Sequence, residues 1–235
     1  MNHISSQSRP AIVVMAKTPR AGLVKTRLRP FLSDEQIVSL AVCFLQDVIS
    51  TAKQVTPDII LAFAPPDGRE MLESLFGTEV ELIEQSGNDL GQRLEAVIKF
   101  AEQKSFSPII VIGADSPTLP VQYLRQAIAG FDSEDVDVAL GATRDGGFYL
   151  IGLRQSHQTL FDHISWSSEF VYQQTSANIE RLGLSLFSLP DWYDIDTPDD
   201  LFHLRDEMLS NETSRQQATK TYQWFLSHSE LFALR

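Results

Sequence analysis

Short apolar runs alternate with longer stretches of mixed polarity along this chain, and the two periods predict strands alternating with helices. Residues 11–16 (AIVVMA) and 108–113 (PIIVIG) are apolar at nearly every position, the pattern of a strand covered on both faces. Residues 58–64 predict another strand, stopped by Pro65-Pro66-Asp67-Gly68, and residues 79–84 a further one. Helices fall between them. One starts after Ser33, an N-cap with Asp34 and Glu35 in the first turn. A short one ends near Phe76, and one over 89–104 carries Leu90, Leu94, Val97, Ile98 and Ala101 at helical spacing. Another covers 121–129. After it the pattern changes: 136–141 and 148–153 read as two strands about a short polar turn, a small late β-hairpin or β-excursion. A helix over 168–182, a strand over 184–189 and, from Pro198, two helices complete the prediction.

This order implies an α/β fold with a mostly parallel central sheet and helices on both faces. No internal repeat or interdomain linker interrupts it. The expected division is a flexible N-terminus over 1–9, one domain over 10–209 and a helical C-terminal appendage over 210–235. Tyr222, Trp224, Phe225, Leu226 and Phe232 of the appendage are expected to pack on the body or on the second subunit of a homodimer. In such sheets ligands lie beyond the carboxyl ends of the strands, where strand order reverses. The loops after Ala16 and Gly113 are therefore the first places to look for chemistry.

Composition narrows the function. With 235 residues and 43% hydrophobic content, the chain can bury a sizeable core. A net charge of −12 argues against nucleic acid as a partner. The first ten residues are polar, and no uninterrupted apolar run reaches the roughly 20 residues of a membrane helix; a cytoplasmic protein with no membrane partner is expected. A single cysteine, Cys43, allows neither an internal disulfide nor a cysteine-based zinc site. Patterns of zinc proteases, α/β-hydrolases, Walker A loops and dinucleotide fingerprints are missing.

The charge is unevenly spread. Residues 1–33 hold no Asp or Glu but carry Arg9, Lys17, Arg20, Lys25, Arg27 and Arg29. The segment Lys17-Thr18-Pro19-Arg20-Ala21-Gly22-Leu23-Val24-Lys25-Thr26-Arg27-Leu28 follows the first strand directly, so it reads either as a solvated basic loop or as a phosphate cradle, with Gly22 allowing close backbone approach. Asp115 follows the strand over 108–113; it can cap a turn before Pro117 or bind a hard divalent cation. Asp194 and Asp196 alternate with Ile195 ahead of a strong helix start, Thr197-Pro198-Asp199-Asp200, and either could complete a metal site with Asp115. Asp145-Gly146-Gly147 suits a hairpin turn and equally a ligand lying against the backbone. Trp166, in a loop rich in hydroxyls, could line an acceptor pocket.

The elements AKTPRAGLVKTRL, NDLGQRL, IGADSPTLP, DGGFYLIGL and DIDTPDDL occur in that order. Over about residues 10–205 they resemble the DUF2064 family, glycosyltransferase-A-like proteins of the nucleotide-diphospho-sugar transferase superfamily. The Lys25-Thr26-Arg27-Leu28 element is also similar to that of nucleotidyltransferases such as 2-phospho-lactate guanylyltransferase. Asp115 and Asp196 resemble the two metal-binding aspartates of sugar-activating cytidylyltransferases. The resemblance implies a Rossmann-like GT-A fold and a transferase that uses Mg²⁺ or Mn²⁺, a nucleotide or nucleotide-sugar donor and a small-molecule acceptor. It implies catalytic roles for Lys25 and Asp115 and a metal site at Asp115 and Asp196. Ala16, Lys17, Arg20, Gly22, Lys25, Arg27, Asp89 and Arg93 would bind the nucleotide, and Asp145, Gly146, Gly147 and Trp166 the acceptor. Glycosyl transfer, nucleotidyl transfer with release of pyrophosphate, and nucleotide binding without turnover are the functions it leaves open.

Overall fold

In the computed structural model, which describes residues 9–233, seven strands form one sheet: β1 (Ala11–Lys17), β2 (Ile59–Ala64), β3 (Glu81–Glu84), β4 (Ile109–Gly113), β5 (Val138–Thr143), β6 (Phe148–Leu153) and β7 (Leu186–Trp192). Their spatial order is β3-β2-β1-β4-β6-β5-β7. Only β6 runs antiparallel to its neighbours β4 and β5; every other pairing is parallel. The late hairpin is therefore no excursion, because β6 inserts between β4 and β5 at the heart of the sheet. Its turn is closed by Gly146 N–H donating to the Thr143 carbonyl at 3.1 Å. Most of the expected flexible N-terminus lies outside the described residues, but Arg9 is held by Asp58 and by a bridge to Ser107.

The fully apolar strands are explained by what covers them. Ile12, Val14 and Ala16 of β1 face one side of the sheet, packed with α1 (Asp34–Lys53), α2 (Arg69–Phe76) and α4 (Val121–Gly130). Ala11 and Val13 face the other, packed with α3 (Leu90–Gln103) and α5 (Val171–Arg181). Two-residue alternation with both faces buried leaves no polar position in β1 before Lys17, its exposed last residue. Helix α1 is long and apolar enough to cross a membrane, yet it too is covered on two sides. Leu45, Val48 and Ile49 meet the sheet, while Ile37, Leu40 and Phe44 meet the C-terminal helices. Its start is the predicted one: Ser33 Oγ accepts from Gln36 N–H, and the Gln36 side chain returns a bond to the Ser33 backbone.

The C-terminal segment forms three helices rather than two: α6 (Pro198–Ser210), α7 (Glu212–Gln217) and α8 (Thr219–Ser227). Asn211 caps α7 through its side chain, and the non-helical backbone of Ala218 (φ −109°, ψ 58°) separates α7 from α8. Trp224, Phe225 and Phe232 are buried against α1 and α6, with Trp224 Nε1 donating to Ser39 Oγ at 2.8 Å. Leu226 stays half exposed. The expected appendage thus encloses a third apolar cluster, which also holds Val24 and Leu28 of the basic loop.

Asp47, buried in α1, fastens this layer by accepting from the Lys220 and Thr221 amides at 3.0 and 2.7 Å, at the start of α8. Burial pushes its carboxyl above the usual range, and the two amide bonds oppose the shift. Removing the cap in Asp47→Ala is expected to cost about 1–2 kcal/mol by urea unfolding. Asp47→Asn, which keeps an acceptor, is expected to cost less. Equal midpoints for Asp47→Ala and wild type would refute the capping role.

Candidate nucleotide and metal site

The chain runs outward from β1 to β2 and β3, then returns to β4 on the other side of β1, so strand order reverses between β1 and β4. Parallel register sets Met15 beside Gly113, and the two following loops leave the sheet side by side. A cleft of about 370 Å³ opens there. Ala16, Lys17, Lys25, Arg93, Asp115 and Asp196 all line it, so residues far apart in sequence converge as expected.

The basic loop is anchored at several points. Thr18 is buried, and its hydroxyl donates to the Pro65 carbonyl at 3.1 Å. Arg20 is drawn away from the cleft into an ion pair with Asp67, and Arg29 pairs with Asp34 at 2.9 Å. Gly22 serves the turn, with a φ of +80° that a side chain would disfavour. Arg9, as noted, pairs with Asp58. Much of the acid-free opening is therefore neutralised by later acids rather than held in reserve for a ligand. Among the described residues Lys17 makes no ion pair, and Arg93 donates only its Nε–H, to the Gly87 carbonyl at 3.2 Å. These two are the cations free to meet phosphate in the first cleft.

Lys25 has another position. Val24 and Leu28, both buried, fix the loop around it. Its backbone is left-handed (φ 43°, ψ 39°), a conformation that costs a residue with a Cβ about 1–2 kcal/mol. Its side chain is 6% exposed, and its ammonium lies 2.7 Å from Asp115 Oδ1 and 3.0 Å from Asp196 Oδ1. Burial alone would lower the Lys25 pKa, but the two carboxylates outweigh it and hold the ammonium above its ordinary value. Burial acts to raise the Asp196 pKa, but Lys25 first, and Arg27 and Lys17 after it, bring it below the usual range. Lys25 thus presents its charge to acids rather than to open solvent.

The segments bearing these acids are stitched together. Ile195 N–H donates to the Asp115 carbonyl at 3.0 Å, and Ser116 Oγ reaches the Tyr193 carbonyl at 2.9 Å and Asp194 Oδ1 at 2.5 Å. Burial, with the nearby Asp115 charge, pushes the Asp194 carboxyl up to about 7. The helix start expected at Thr197 is present and is closed by a capping box between Thr197 and Asp200, which fixes where Asp196 emerges. Asp115 and Asp196 suit a hard divalent cation: both already gather about one positive charge, and their side chains remain 51% and 44% exposed, leaving room for water and phosphate oxygens. No group of three or more His, Cys, Asp or Glu that could cage a metal exists among the described residues, so the remaining ligands would come from substrate and water.

Other expected site residues lie elsewhere. Asp89 is the N-cap of α3, accepting from Gln92 N–H at 2.8 Å, and does not line the cleft. Arg27, 75% exposed, lines a second cleft of about 300 Å³ that shares Asp196 with the first. Asp145 lines this second cleft as well, while accepting from Thr143 Oγ1 at 2.5 Å and Gly147 N–H at 3.2 Å. Gly146 is pressed against Glu169, where an added Cβ would sit 2.0 Å from the carbonyl oxygen. Trp166 packs on Phe148 and Phe161. Gly146, Gly147 and Trp166 line neither cleft; Trp166 packs instead against the apolar cluster beneath α3 and α5. Gln85 was not anticipated. It lines the first cleft and donates from Nε2 to the Ala16 and Ala62 carbonyls at 3.1 and 2.8 Å. Its position just past β3, at the carboxyl edge of the sheet, is the signal that could have found it. Arg144 and His203 in the second cleft were also unforeseen.

Comparison with known proteins agrees with the fold. At 29% identity and a TM-score of 0.86, the structure resembles a candidate nucleotide-diphospho-sugar transferase from Desulfovibrio desulfuricans G20, covering 95% of this chain and 96% of that one. The sequence is 26% identical over 194 residues to 2-phospho-L-lactate guanylyltransferase of Methanobrevibacter smithii, 81% of this chain and 82% of the relative. CMP:2-keto-3-deoxy-manno-octonic acid synthetase, solved with CTP, shares the fold at a TM-score of 0.57 and 16% identity, covering 86% of this chain and 99% of that one. The architecture is that of nucleotidyl and nucleotide-diphospho-sugar transferases, with the cleft at the strand-order reversal. The chain belongs to the DUF2064 family, described as an uncharacterized protein conserved in bacteria, whose model matches residues 47–168.

The charge arrangement makes a direct prediction. Asp196, depressed in the folded state, adds stability at neutral pH that is lost as pH falls through its folded value. In Lys25→Met the Asp196 pKa is expected to rise to or above the ordinary carboxylate value, read by ¹³C NMR titration. An unchanged value would show that Lys25 is not its counter-charge.

Proposed function

We propose that the protein is a metal-dependent nucleotidyltransferase that joins a nucleoside monophosphate to a small acceptor and releases pyrophosphate. The observation that carries this reading is the Lys25 ammonium held between Asp115 and Asp196 where β1 and β4 end, beside Lys17 and Arg93. Asp115 and Asp196 would hold Mg²⁺ or Mn²⁺, which supplies charge stabilisation to the phosphates when bound. Lys25, relieved of its role as their counter-charge, would reach a phosphate oxygen together with Lys17 and Arg93. An acceptor oxygen would attack the α-phosphorus, the bond to the bridging oxygen would break, and its electron pair would leave with pyrophosphate. The side chains would act by positioning and by meeting charge as it develops on the leaving group, with no covalent intermediate.

The guanylyltransferase relative favours this reading, since its alignment spans four-fifths of both chains. Glycosyl transfer from a nucleotide sugar is the second reading, favoured by the name of the Desulfovibrio structure. The two differ in donor. A thermal-shift panel of the four NTPs and of UDP-, GDP- and ADP-sugars, each with Mg²⁺, Mn²⁺ or chelator, is expected to show metal-dependent stabilisation by an NTP. Stabilisation by a sugar nucleotide alone would transfer the assignment to glycosyl transfer. Asp115→Asn is expected to lose the metal-dependent shift while its ligand-free melting temperature stays near wild type, because Lys25 keeps Asp196. Retention of the full shift would remove Asp115 from the metal site.

A further inference from the structure

The second cleft has a charge pattern of its own. Its acids are engaged by the protein: Asp145 by Thr143 and Gly147, Asp194 by Ser116, Asp196 by Lys25, and Asp200 by the Thr197 amide at 2.7 Å. Its guanidinium N–H groups make no hydrogen bond of their own. Arg27 comes no closer to a carboxylate than 3.8 Å, from Asp196, and neither it nor Arg144 donates a hydrogen bond among the described residues. Arg144 is exposed, yet its guanidinium carbon lies 5.5 Å from the centre of the Tyr193 ring. That ring is a fixed platform: it is buried, its hydroxyl contacts Glu207 and Thr118, and His203 meets it at 4.9 Å. Guanidinium N–H donors without hydrogen-bond partners, beside carboxylates whose oxygens already accept from the protein, suit a ligand group that accepts from a planar fork.

We propose that this cleft is the acceptor subsite, and that Arg27 and Arg144 select a small acceptor carrying a carboxylate or phosphate group. The inference rests on the nucleotidyl-transfer reading above and deepens it. The cleft abuts the nucleotide cleft at Asp196, so an acceptor held there approaches the phosphates from the side of Arg27. Its volume of about 300 Å³ lies at the small end of ligand sites. Carboxylate and phosphate both suit a guanidinium fork, and the test separates them.

Inorganic phosphate, glycolate and phosphoglycolate would be titrated into the full chain, with arginine Nε–H and histidine ring signals followed by NMR. Saturable shifts at Arg27, Arg144 and His203 are expected. A response to glycolate but not inorganic phosphate identifies carboxylate recognition, and the reverse identifies phosphate. Arg144→Ala and Arg144→Gln are expected to weaken the responding probe about tenfold, with wild-type melting temperature and with nucleotide affinity unchanged. Shifts confined to Arg93, or full probe affinity in both Arg144 variants, would overturn the subsite while leaving the nucleotide site intact. Failure of the wild-type chain to bind any nucleotide would instead remove the transferase reading, and the acceptor role of this cleft with it.

Discussion

A buried ammonium needs counter-charge, and that requirement organises this molecule. Lys25 can remain 6% exposed and charged only because Asp115 and Asp196 meet it at 2.7 and 3.0 Å; a buried charge left unpaired would be costly or would lose its proton. Each partner comes from a different stretch of chain. Asp115 follows β4, Asp196 precedes α6, and Lys25 belongs to the loop after β1. The ion pairs therefore tie the central parallel strands to the C-terminal layer. The same contacts assemble the polar floor of the first cleft, so interactions that join these segments also form the site.

The apolar framework supports that geometry from behind. Val24 and Leu28, flanking Lys25, sit in the cluster formed by α1, α6 and α8. Asp47 fastens α8 to α1 by capping it. A C-terminal segment that reads as peripheral thus holds the basic loop against the sheet. Helix α1 carries apolar residues on two faces because it lies between two layers, which also explains its membrane-like composition.

Much of the fold was legible in the sequence because it rests on local rules. Fully apolar runs marked β1 and β4, the Ser33 and Thr197 caps marked helix starts, and Asp145-Gly146 marked the hairpin turn. The strand-order argument directed attention to the loops after β1 and β4, where the cleft lies. Less legible were matters decided through space. Nothing near Arg20 or Arg9 in sequence reveals that Asp67 and Asp58 will neutralise them. Nor does composition reveal that Trp166 turns to Phe148 and Phe161. Asp89 illustrates a different ambiguity: the same carboxylate chemistry serves a helix cap or a ligand, and only the Gln92 amide decides.

Electrostatics also explains why two clefts with separate cations suit the proposed reaction. A chain of net charge −12 must gather local positive potential to hold a triphosphate. An acceptor that is itself an anion raises a further difficulty: two unit charges 4 Å apart repel by about 4 kcal/mol at the effective dielectric near a protein surface. Lys17 and Arg93 lie in the first cleft and cannot relieve that repulsion from the acceptor side, whereas Arg27 and Arg144 are placed to do so. Asp196, shared by both clefts and held ionised by Lys25, keeps the boundary between them negative. An anionic acceptor would therefore be favoured where the guanidinium groups stand and disfavoured closer to Asp196 until that carboxylate is neutralised. On the proposed reading a cation held by Asp115 and Asp196 would do more than meet charge on the leaving group: it would also lower the electrostatic barrier across which an anionic acceptor approaches.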